Sequence, residues 1–323
     1  MSAPAQPGRD TGPIRIGARR SPLAVAQAEW VADRLRALGA EVELVGIDTR
    51  GDVDRRHLTE IGGTGVFAVA VREAVLAGEV DVAVHSMKDL PTAPAPGLEI
   101  AAIPEREDPR DVLVGQRLAA LTDGMVIGTG SPRRAAQLQA YARERGLQLE
   151  FRPIRGNVGT RLALVEHREV DATVLAAAGL RRLGLLDALP SHEILDPEVL
   201  APAAAQGALA IEIARAARPG VPELIARLDD PATRAAVTAE REFLRTLEAG
   251  CLAPVGVLAR TANETGGSTD LTLAAVIGRT FLSTSAQAGS DDAPPVRIAG
   301  SAAVEQGAEL GRELAGQALA RLG

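Results

Sequence analysis

The chain has very few of the side chains that build disulfides or metal sites. Its 323 residues include one cysteine, Cys251, which excludes an internal disulfide and a cysteine metal cluster and suits a reducing compartment. The four histidines are scattered and show no metal-ligand spacing. We therefore expect no metal in this protein.

Long apolar runs and basic stretches are also lacking. No stretch reaches the roughly 20 apolar residues that a membrane-spanning helix needs, and residues 1–13 lack the basic start and apolar core of a signal peptide. The net charge of −7 offers no basic face for a nucleic acid. The sequence predicts a cytoplasmic protein that binds neither a membrane nor a nucleic acid, so any anion site is local.

Lysine is scarcer than any other charged residue. Only one of the 35 basic side chains is a lysine, Lys88, and it stands directly before Asp89 at the end of an apolar strand. The abundance of arginine weakens an argument from any single arginine, because it reflects a general compositional bias. Lys88 departs from this bias, so a lysine at this position is more informative than any single arginine.

Two parts of the chain show the same order of elements. A strand at residues 14–18 leads into a helix with Ser21 as its N-cap, and a strand at residues 125–130 leads into a helix with Ser131 as its N-cap. Each helix is followed by an apolar strand that ends in Arg-Gly, and later by a Glu-Val-Asp step into a further strand. This ordered agreement predicts two similar α/β lobes, each with a mainly parallel sheet.

The same pattern predicts three domains. The first α/β lobe covers 14–104 with a return segment at about 203–225, and the second lobe covers 108–200. Residues 201–214 read as a helix that returns to the first lobe. Residues 229–323 change to a helix, three strands and a terminal helix, which is typical of a small α+β domain.

Polar and basic residues follow several of the predicted strands. Ligands of open parallel sheets bind beyond the carboxyl ends of the strands, and helix N-termini there favour anions. We therefore expect one cationic cleft between the lobes, lined by Arg19, Ser21, the Arg50 loop, the HSMKD segment from His85 to Asp89, Ser131, Arg133, Arg134, Arg155 and Arg161.

Each of these residues also has a simpler interpretation. A single arginine in so arginine-rich a chain can be a solvated surface residue, and Asp89 before Leu-Pro can be an ordinary turn residue. Alternatively, a carboxylate in a cationic cleft can stabilise a cationic intermediate or move a proton. Cys251 can be a small packing residue or an accessible thiol.

Nine motifs occur in one order between residue 14 and about residue 256. They are GARRSPLA, TRGD, VDVAVHSMKDLP, EREDPRD, GTGSPRR, RGNVGTRL, AAGLRRLGL, AAQGALAIE and LEAGCLAP. Through these motifs the chain resembles the porphobilinogen deaminase (hydroxymethylbilane synthase) family, and HSMKD with RGNVGTRL is highly specific for it.

The resemblance implies a transferase of tetrapyrrole and haem biosynthesis. Such an enzyme condenses four porphobilinogen molecules head to tail with release of ammonia and then releases the linear hydroxymethylbilane by hydrolysis. The resemblance also implies a dipyrromethane cofactor held by a thioether to Cys251 in the C-terminal domain, and a monomer of three domains. The first two domains would be similar to the lobes of type II periplasmic binding proteins.

The resemblance further assigns roles to individual residues. Asp89 is implied as the catalytic carboxylate, which meets the azafulvene cation left by the loss of ammonia and removes a proton after attack of the pyrrole carbon. The residues implied to bind carboxylates of the cofactor or substrate are Arg19, Ser21, Ser86, Lys88, Thr129, Ser131, Arg133, Arg134, Arg155, Arg161 and Arg182.

The chain departs from the family pattern in two places. Glu60 and Thr64 stand in a glycine-rich segment where many relatives carry lysines, and Leu252 and Ala253 follow Cys251 where a glutamine is frequent. Two alternatives therefore stay open. The chain could be a two-lobed binding protein for a small polyanion, or a family member that has lost its activity.

Overall fold

The computed structural model describes residues 12–48, 66–250, 253–261, 270–279 and 294–322. In chain order the strands are β1 Ile14–Arg19, β2 Val42–Ile47, β3 Val82–Ser86, β4 Leu98–Ala102, β5 Asp111–Val114, β6 Val126–Gly128, β7 Glu150–Arg152, β8 Ala172–Ala176, β9 His192–Ile194, β10 Leu209–Ala214, β11 Val255–Thr261, β12 Asp270–Ile277 and β13 Val296–Ala303. The α-helices are α1 Pro22–Ala37, α2 Val66–Leu76, α3 Pro132–Arg143, α4 Val158–Glu166, α5 Ala177–Arg182, α6 Val221–Ala226, α7 Pro231–Thr246 and α8 Gly307–Leu322.

The chain divides into two compact units, and it passes between them more than once. The first unit contains the residues up to His85 together with Pro94–Pro104 and Leu209–Asp229. The second unit contains Ser86–Ala93, Glu105–Ala208 and the chain from Asp230 onward.

The first unit is built on a five-stranded sheet in the order β2-β1-β3-β10-β4. Strand β1 is parallel to β2 and β3, whereas β10 is antiparallel to β4. Helix α1 begins where the Ser21 hydroxyl accepts from the amide of Ala24 at 3.4 Å, and Pro22 takes its first position. The core that joins α1 to the sheet includes Ile16, Val31 and Leu35.

The return segment is a strand, so the helix predicted for residues 201–214 is wrong. Leu209–Ala214 form β10, which lies inside the first sheet between β3 and β4. Every residue from Leu209 to Ile213 is buried. A strand covered on both faces reads as a continuous apolar run, which periodicity alone does not distinguish from a buried helix.

The second unit contains a five-stranded sheet in the order β7-β6-β8-β5-β9. Strand β6 is parallel to β7 and β8, whereas β5 is antiparallel to β8 and β9. The α/β class is confirmed, but the sheet is mixed rather than mainly parallel. The sequence misleads here because the antiparallel β5 is as fully buried as its neighbour β8, and burial sets the apolar pattern regardless of direction.

The C-terminal part of the second unit is a separate antiparallel sheet with two helices. Strands β11, β12 and β13 pair in chain order, and α7 and α8 pack on one face. Phe243, Leu271 and Leu314 lie in this core. Alternate residues of β12 are buried and exposed, which is typical of a sheet with one solvated face. The three strands and two helices predicted for this α+β region are confirmed.

The close crossing of α7 and α8 gives the first prediction. A Cβ added at Gly311 would lie 2.3 Å from the carbonyl oxygen of Ala239, so Gly311→Ala should destabilise the protein by about 1–3 kcal/mol. Gly316→Ala in the same helix is the control, because nothing lies within 4 Å of its added Cβ, and alanine should stabilise the helix by about 0.5–1 kcal/mol. Equilibrium unfolding in urea measures the change in stability of each variant. Equal unfolding midpoints for the two variants would contradict the close contact at Gly311.

Candidate active site

Asp89 ends a short turn that follows β3. Met87–Asp89 form one turn of 3-10 helix, in which the amide of Leu90 donates to the carbonyl of Met87 at 3.1 Å. The amide of Met87 donates to the carbonyl of Ala208 at 3.0 Å. Asp89 is exposed, and no described residue donates a hydrogen bond to its carboxylate. The turn therefore presents a carboxylate that the described hydrogen-bond donors leave available.

A buried carboxylate, Asp111, lies between two buried arginines. Arg133 contacts one carboxylate oxygen through Nη1 at 2.8 Å, and Arg134 contacts the other through Nη2 at 2.7 Å. Burial alone would raise the pKa of Asp111, but the two guanidinium groups lower it to about 2. The same arginines also donate to the carbonyls of Ala201 and Val174. Two cations thus share one carboxylate, which leaves net positive charge.

Gln206 links Lys88 to this ion cluster. Its side-chain amide nitrogen donates to Asp111 at 3.0 Å and to the carbonyl of Pro109 at 2.7 Å, so its oxygen is left to accept from Lys88 Nζ at 3.4 Å. The residues on either side have positive φ, +59° at Ala205 and +91° at Gly207. Gly207 is required there, since an added Cβ would lie 2.2 Å from a neighbouring carbonyl oxygen.

Sequence reasoning missed Gln206 as a site residue. It stands in AAQGALAIE, where apolar neighbours hide a single amide. The signal that could have found it is a buried polar residue directly before a glycine, because a polar side chain inside an apolar run needs a partner.

Lys88 is less basic than an ordinary lysine. Its pKa is lowered to about 8. Desolvation is the main cause, and the positive charges of Arg134 and Arg133 act in the same direction. The carboxylates of Asp89 and Asp111 oppose this shift. The ammonium group is therefore charged at neutral pH but loses its proton in mildly alkaline solution.

The charge of Arg161 interacts with those of Arg134 and Asp89. Desolvation and then the charge of Arg134 lower the pKa of Arg161, whereas Asp89 raises it. Its Nε donates to the carbonyl of Gly156 at 3.0 Å, which fixes the side chain at the start of α4. Asn157 caps this helix by accepting from the amide of Thr160 at 2.9 Å.

The second predicted N-cap differs from the first. Ser131 occupies the N-cap position of α3, but its side chain makes no capping bond, unlike that of Ser21 in α1. Instead, the Ser131 amide donates to the Thr129 hydroxyl at 3.2 Å, which holds these two residues together at the end of β6.

The end of β3 is fixed in the first unit by a buried ion network. Glu212 on β10 accepts from Arg72 at 2.7 and 2.8 Å and lies 3.2 Å from His85 Nε2. Burial would raise the pKa of Glu212, but His85 and Arg72 lower it to about 2. This network lies directly before Ser86 and the turn, and the sequence analysis did not identify it.

The remaining predicted residues are distributed as follows. Arg19 and Ser21 are half-buried in the first unit, and Arg155 is exposed in the loop before α4. Arg182 at the end of α5 donates to the carbonyl of Gly207 at 2.7 Å. Arg50, Glu60, Thr64, Cys251 and Leu252 lie outside the described residues.

The second unit therefore contains a cluster with more positive than negative charge. Guanidinium and ammonium groups bind carboxylates well, and an exposed carboxylate among them can stabilise a developing cation or accept a proton. The described cluster has four cations, Lys88, Arg133, Arg134 and Arg161, against two carboxylates, Asp89 and Asp111. In the described part of the chain, no group of three histidine, cysteine or acidic side chains could hold a metal ion.

Comparison with known proteins matches nearly the whole chain to one family. Residues 14–219 match the family model described as "Porphobilinogen deaminase, dipyromethane cofactor binding domain". Residues 234–319 match that described as "Porphobilinogen deaminase, C-terminal domain". Among similar curated proteins, porphobilinogen deaminase 1 of Streptomyces coelicolor is 51% identical over 96% of this chain and 97% of its own. Porphobilinogen deaminase of Mycobacterium tuberculosis is 52% identical over 78% of this chain and 80% of its own.

Similar solved structures include bacterial binding proteins. Apo YehZ from Escherichia coli matches 67% of this chain and 85% of its own at 15% identity, with a TM-score of 0.39. The periplasmic aliphatic sulphonate binding protein of Escherichia coli matches 73% of this chain and 74% of its own at 16% identity, with a TM-score of 0.35. Similarities with TM-scores below 0.5 are too weak to assign a fold or a function.

The second prediction concerns the protonation of Lys88, which is the only lysine and therefore gives a single ¹³Cε signal in lysine-labelled protein. In folded protein free of bound anions, this signal should titrate near pH 8, the value to which burial lowers the pKa. In urea it should titrate near 10.4. Between the two pH values the unfolded chain binds more protons, so this group makes the folded state more stable as pH rises.

A variant at Asp89 tests how its charge affects the pKa of Lys88. Asp89→Asn should lower the midpoint further, because the Asp89 charge favours the ammonium form. A midpoint above 10 in the folded wild-type protein would contradict the desolvated site.

Proposed function

Because this chain belongs to the porphobilinogen deaminase family, we propose that it performs the family's reaction with Asp89 as the catalytic carboxylate. The chain is an enzyme, a transferase that joins four porphobilinogen molecules head to tail with release of ammonia and then releases hydroxymethylbilane. It works with a dipyrromethane cofactor.

The described residues fit such a cofactor. Each porphobilinogen ring bears an acetate and a propionate, so a cofactor of two such rings carries four carboxylates and the growing product carries more. The observation that supports the fit is the surplus of positive charge around Asp89, where Arg133 and Arg134 share the single carboxylate of Asp111. When bound, the cofactor supplies the pyrrole carbon to which the first substrate unit is joined.

We propose that the cations divide between two roles. Arg161 and Lys88 bind carboxylates of cofactor or substrate directly, since the charge of each interacts with that of Asp89. Arg133 and Arg134 keep their bonds to Asp111 and offer their remaining N–H groups to a further carboxylate. By the family motifs, the other carboxylate-binding residues are Arg19, Ser21, Ser86, Thr129, Ser131, Arg155 and Arg182.

Asp89 serves two steps in this proposal. Its carboxylate stabilises the positive charge that develops on the substrate carbon as ammonia leaves. After the new carbon–carbon bond forms, the same carboxylate accepts the proton that the pyrrole carbon loses. Exposure supports the assignment, since a carboxylate to which no described residue donates can approach a substrate.

We also propose the domain boundaries of the chain and the domain that carries the cofactor. The three domains are 14–104 with the return segment, 108–200 and 229–323, and the last carries the cofactor on Cys251. The family match supports the last of these boundaries, because its two models divide between residues 219 and 234. We further propose a cytoplasmic monomer. In the described part of the chain, no helix is both long and apolar enough to cross a bilayer.

The binding-protein alternative has less support than the enzyme. It leaves the C-terminal domain without a role, whereas this domain matches the family over residues 234–319. An inactive family member is the alternative that experiment must exclude, and the mass and turnover of the wild-type chain test it.

Asp89→Asn should keep the fold and lower turnover of porphobilinogen by at least about a hundredfold, because it removes the charge that faces the cation. Intact mass should show the two-ring adduct on wild-type Cys251, and ammonia release should measure turnover. Near-normal turnover in Asp89→Asn would exclude the assignment. An unmodified and inactive wild-type chain would favour a member that has lost its activity.

Arg161→Met should weaken binding of carboxylates, with a KM raised about tenfold, because it removes one charged contact. Arg145→Met is the matched control, since Arg145 is an exposed arginine in the same unit that stacks on Tyr141. Steady-state kinetics of both variants provide the measurement. Equal KM values would place Arg161 outside the binding surface.

A further inference from the structure

The position of Asp89 depends on its backbone. No described residue donates a hydrogen bond to its carboxylate, so within the described part of the chain no side-chain hydrogen bond holds it in place. Catalytic groups must be held within a fraction of an ångström, and a misplacement of about 1 Å can lower a rate about a hundredfold. The contacts that hold the turn around Asp89 are therefore part of the catalytic apparatus.

Before Asp89 the turn is held at two points. The amide of Met87 donates to the carbonyl of Ala208 at 3.0 Å, and Lys88 Nζ donates to Gln206 at 3.4 Å. After Asp89 the chain is extended at Leu90 and continues with Pro91, which has no N–H to donate. This half of the segment needs a different kind of support.

Arg241 on α7 provides that support. Its Nη1 donates to the carbonyl of Leu90 at 3.2 Å, and its Nη2 donates to the carbonyl of Pro91 at 2.6 Å. The guanidinium is a planar fork that can hold two successive carbonyls at once, whereas an ammonium group acts as a point charge. Arg241 was not among the residues that the sequence indicated.

Helix α7 is itself firmly fixed at this point. The preceding residue, Glu240, is fully buried and accepts from Arg106 at 2.7 and 3.1 Å. It also accepts from the amides of Ala205 at 2.6 Å and Ala259 at 2.8 Å. Arg241 therefore reaches the turn from a base that four hydrogen bonds hold in place.

We infer that Arg241 is a positioning residue for Asp89, because its guanidinium fixes the carbonyls of Leu90 and Pro91 directly behind the catalytic carboxylate. The inference rests on the proposed function, in which Asp89 acts on the substrate. It also gives α7, the helix that precedes the cofactor cysteine in the chain, a part in orienting the turn.

The test compares three variants in the cofactor-loaded enzyme. Arg241→Met should lower kcat about tenfold to a hundredfold with KM changed less than about twofold, because the carboxylate is displaced while the binding cations stay. Arg241→Lys should recover part of the loss, since one carbonyl can still be held. Arg245→Met should behave as wild type, because Arg245 lies one turn later, is exposed and bonds to Glu242.

Two further measurements separate positioning from a general loss of structure. Hydrogen exchange at the Leu90 amide, which donates within the turn, should accelerate in Arg241→Met and stay unchanged in Arg245→Met. In an Asp89→Glu background, where the carboxylate is already displaced, Arg241→Met should lower kcat by less than about threefold. Intact mass should show full cofactor loading throughout.

The outcomes distinguish this inference from the proposed function. If Asp89→Asn is inactive but Arg241→Met turns over normally, only the positioning role fails. If Arg241→Met lowers kcat by the same factor in both backgrounds, its role is structural and the inference is overturned. Near-normal turnover in Asp89→Asn would remove the proposed function, and the inference with it.

Discussion

The buried carboxylate of Asp111 and its two arginines determine the chemistry of the second unit. Arg133 and Arg134 stand on the first turn of α3, where the N-terminal end of the helix would disfavour further positive charge. Asp111 at the start of β5 makes this arrangement possible, because it contacts both guanidinium groups at 2.7–2.8 Å. Removal of this carboxylate would leave two buried cations without compensation, a change that typically costs about 3–5 kcal/mol.

The same carboxylate organises the neighbouring polar groups. Gln206 donates to Asp111, and this orients the amide so that its oxygen faces Lys88. The backbone carbonyl of Gln206 accepts from Arg106 at 2.8 Å, and Arg106 in turn pairs with the buried Glu240. A continuous set of bonds therefore runs from the α7 helix to the only lysine. The buried side chains of Asp111, Gln206 and Glu240 each have hydrogen-bond or ion-pair partners in it, as a buried network requires.

Much of the fold was predictable from sequence because the signals were local. Ser21 with Pro22 marked the start of α1, and the strand predicted at residues 271–277 lies within β12 of the C-terminal sheet. The strand at Leu209–Ala214 and the antiparallel direction of β5 were missed. Burial on both faces removes the alternation that identifies a strand, and strand direction depends on chain crossings that no local pattern reports.

The candidate site was predictable to a different extent. Motifs indicated the residues that can touch a ligand, such as Lys88 and Arg161, because charge and glycine stand out in sequence. They did not indicate Gln206, Glu240 or Arg241, whose roles depend on contacts between residues more than 90 positions apart. Residues that hold other residues in place carry no signature of their own chemistry, so only the folded structure identifies them.

The single lysine can now be explained by the balance of charge. A guanidinium at position 88 would stay charged at any accessible pH and would bring a fourth arginine to the described cluster. An ammonium group is smaller, and Gln206 accepts a hydrogen bond from one of its three N–H groups. Within the described residues, the other two remain for a ligand. Its pKa of about 8 keeps it charged at neutral pH. Carboxylates of a ligand would stabilise that charge further, so binding of the anion and protonation of Lys88 support each other.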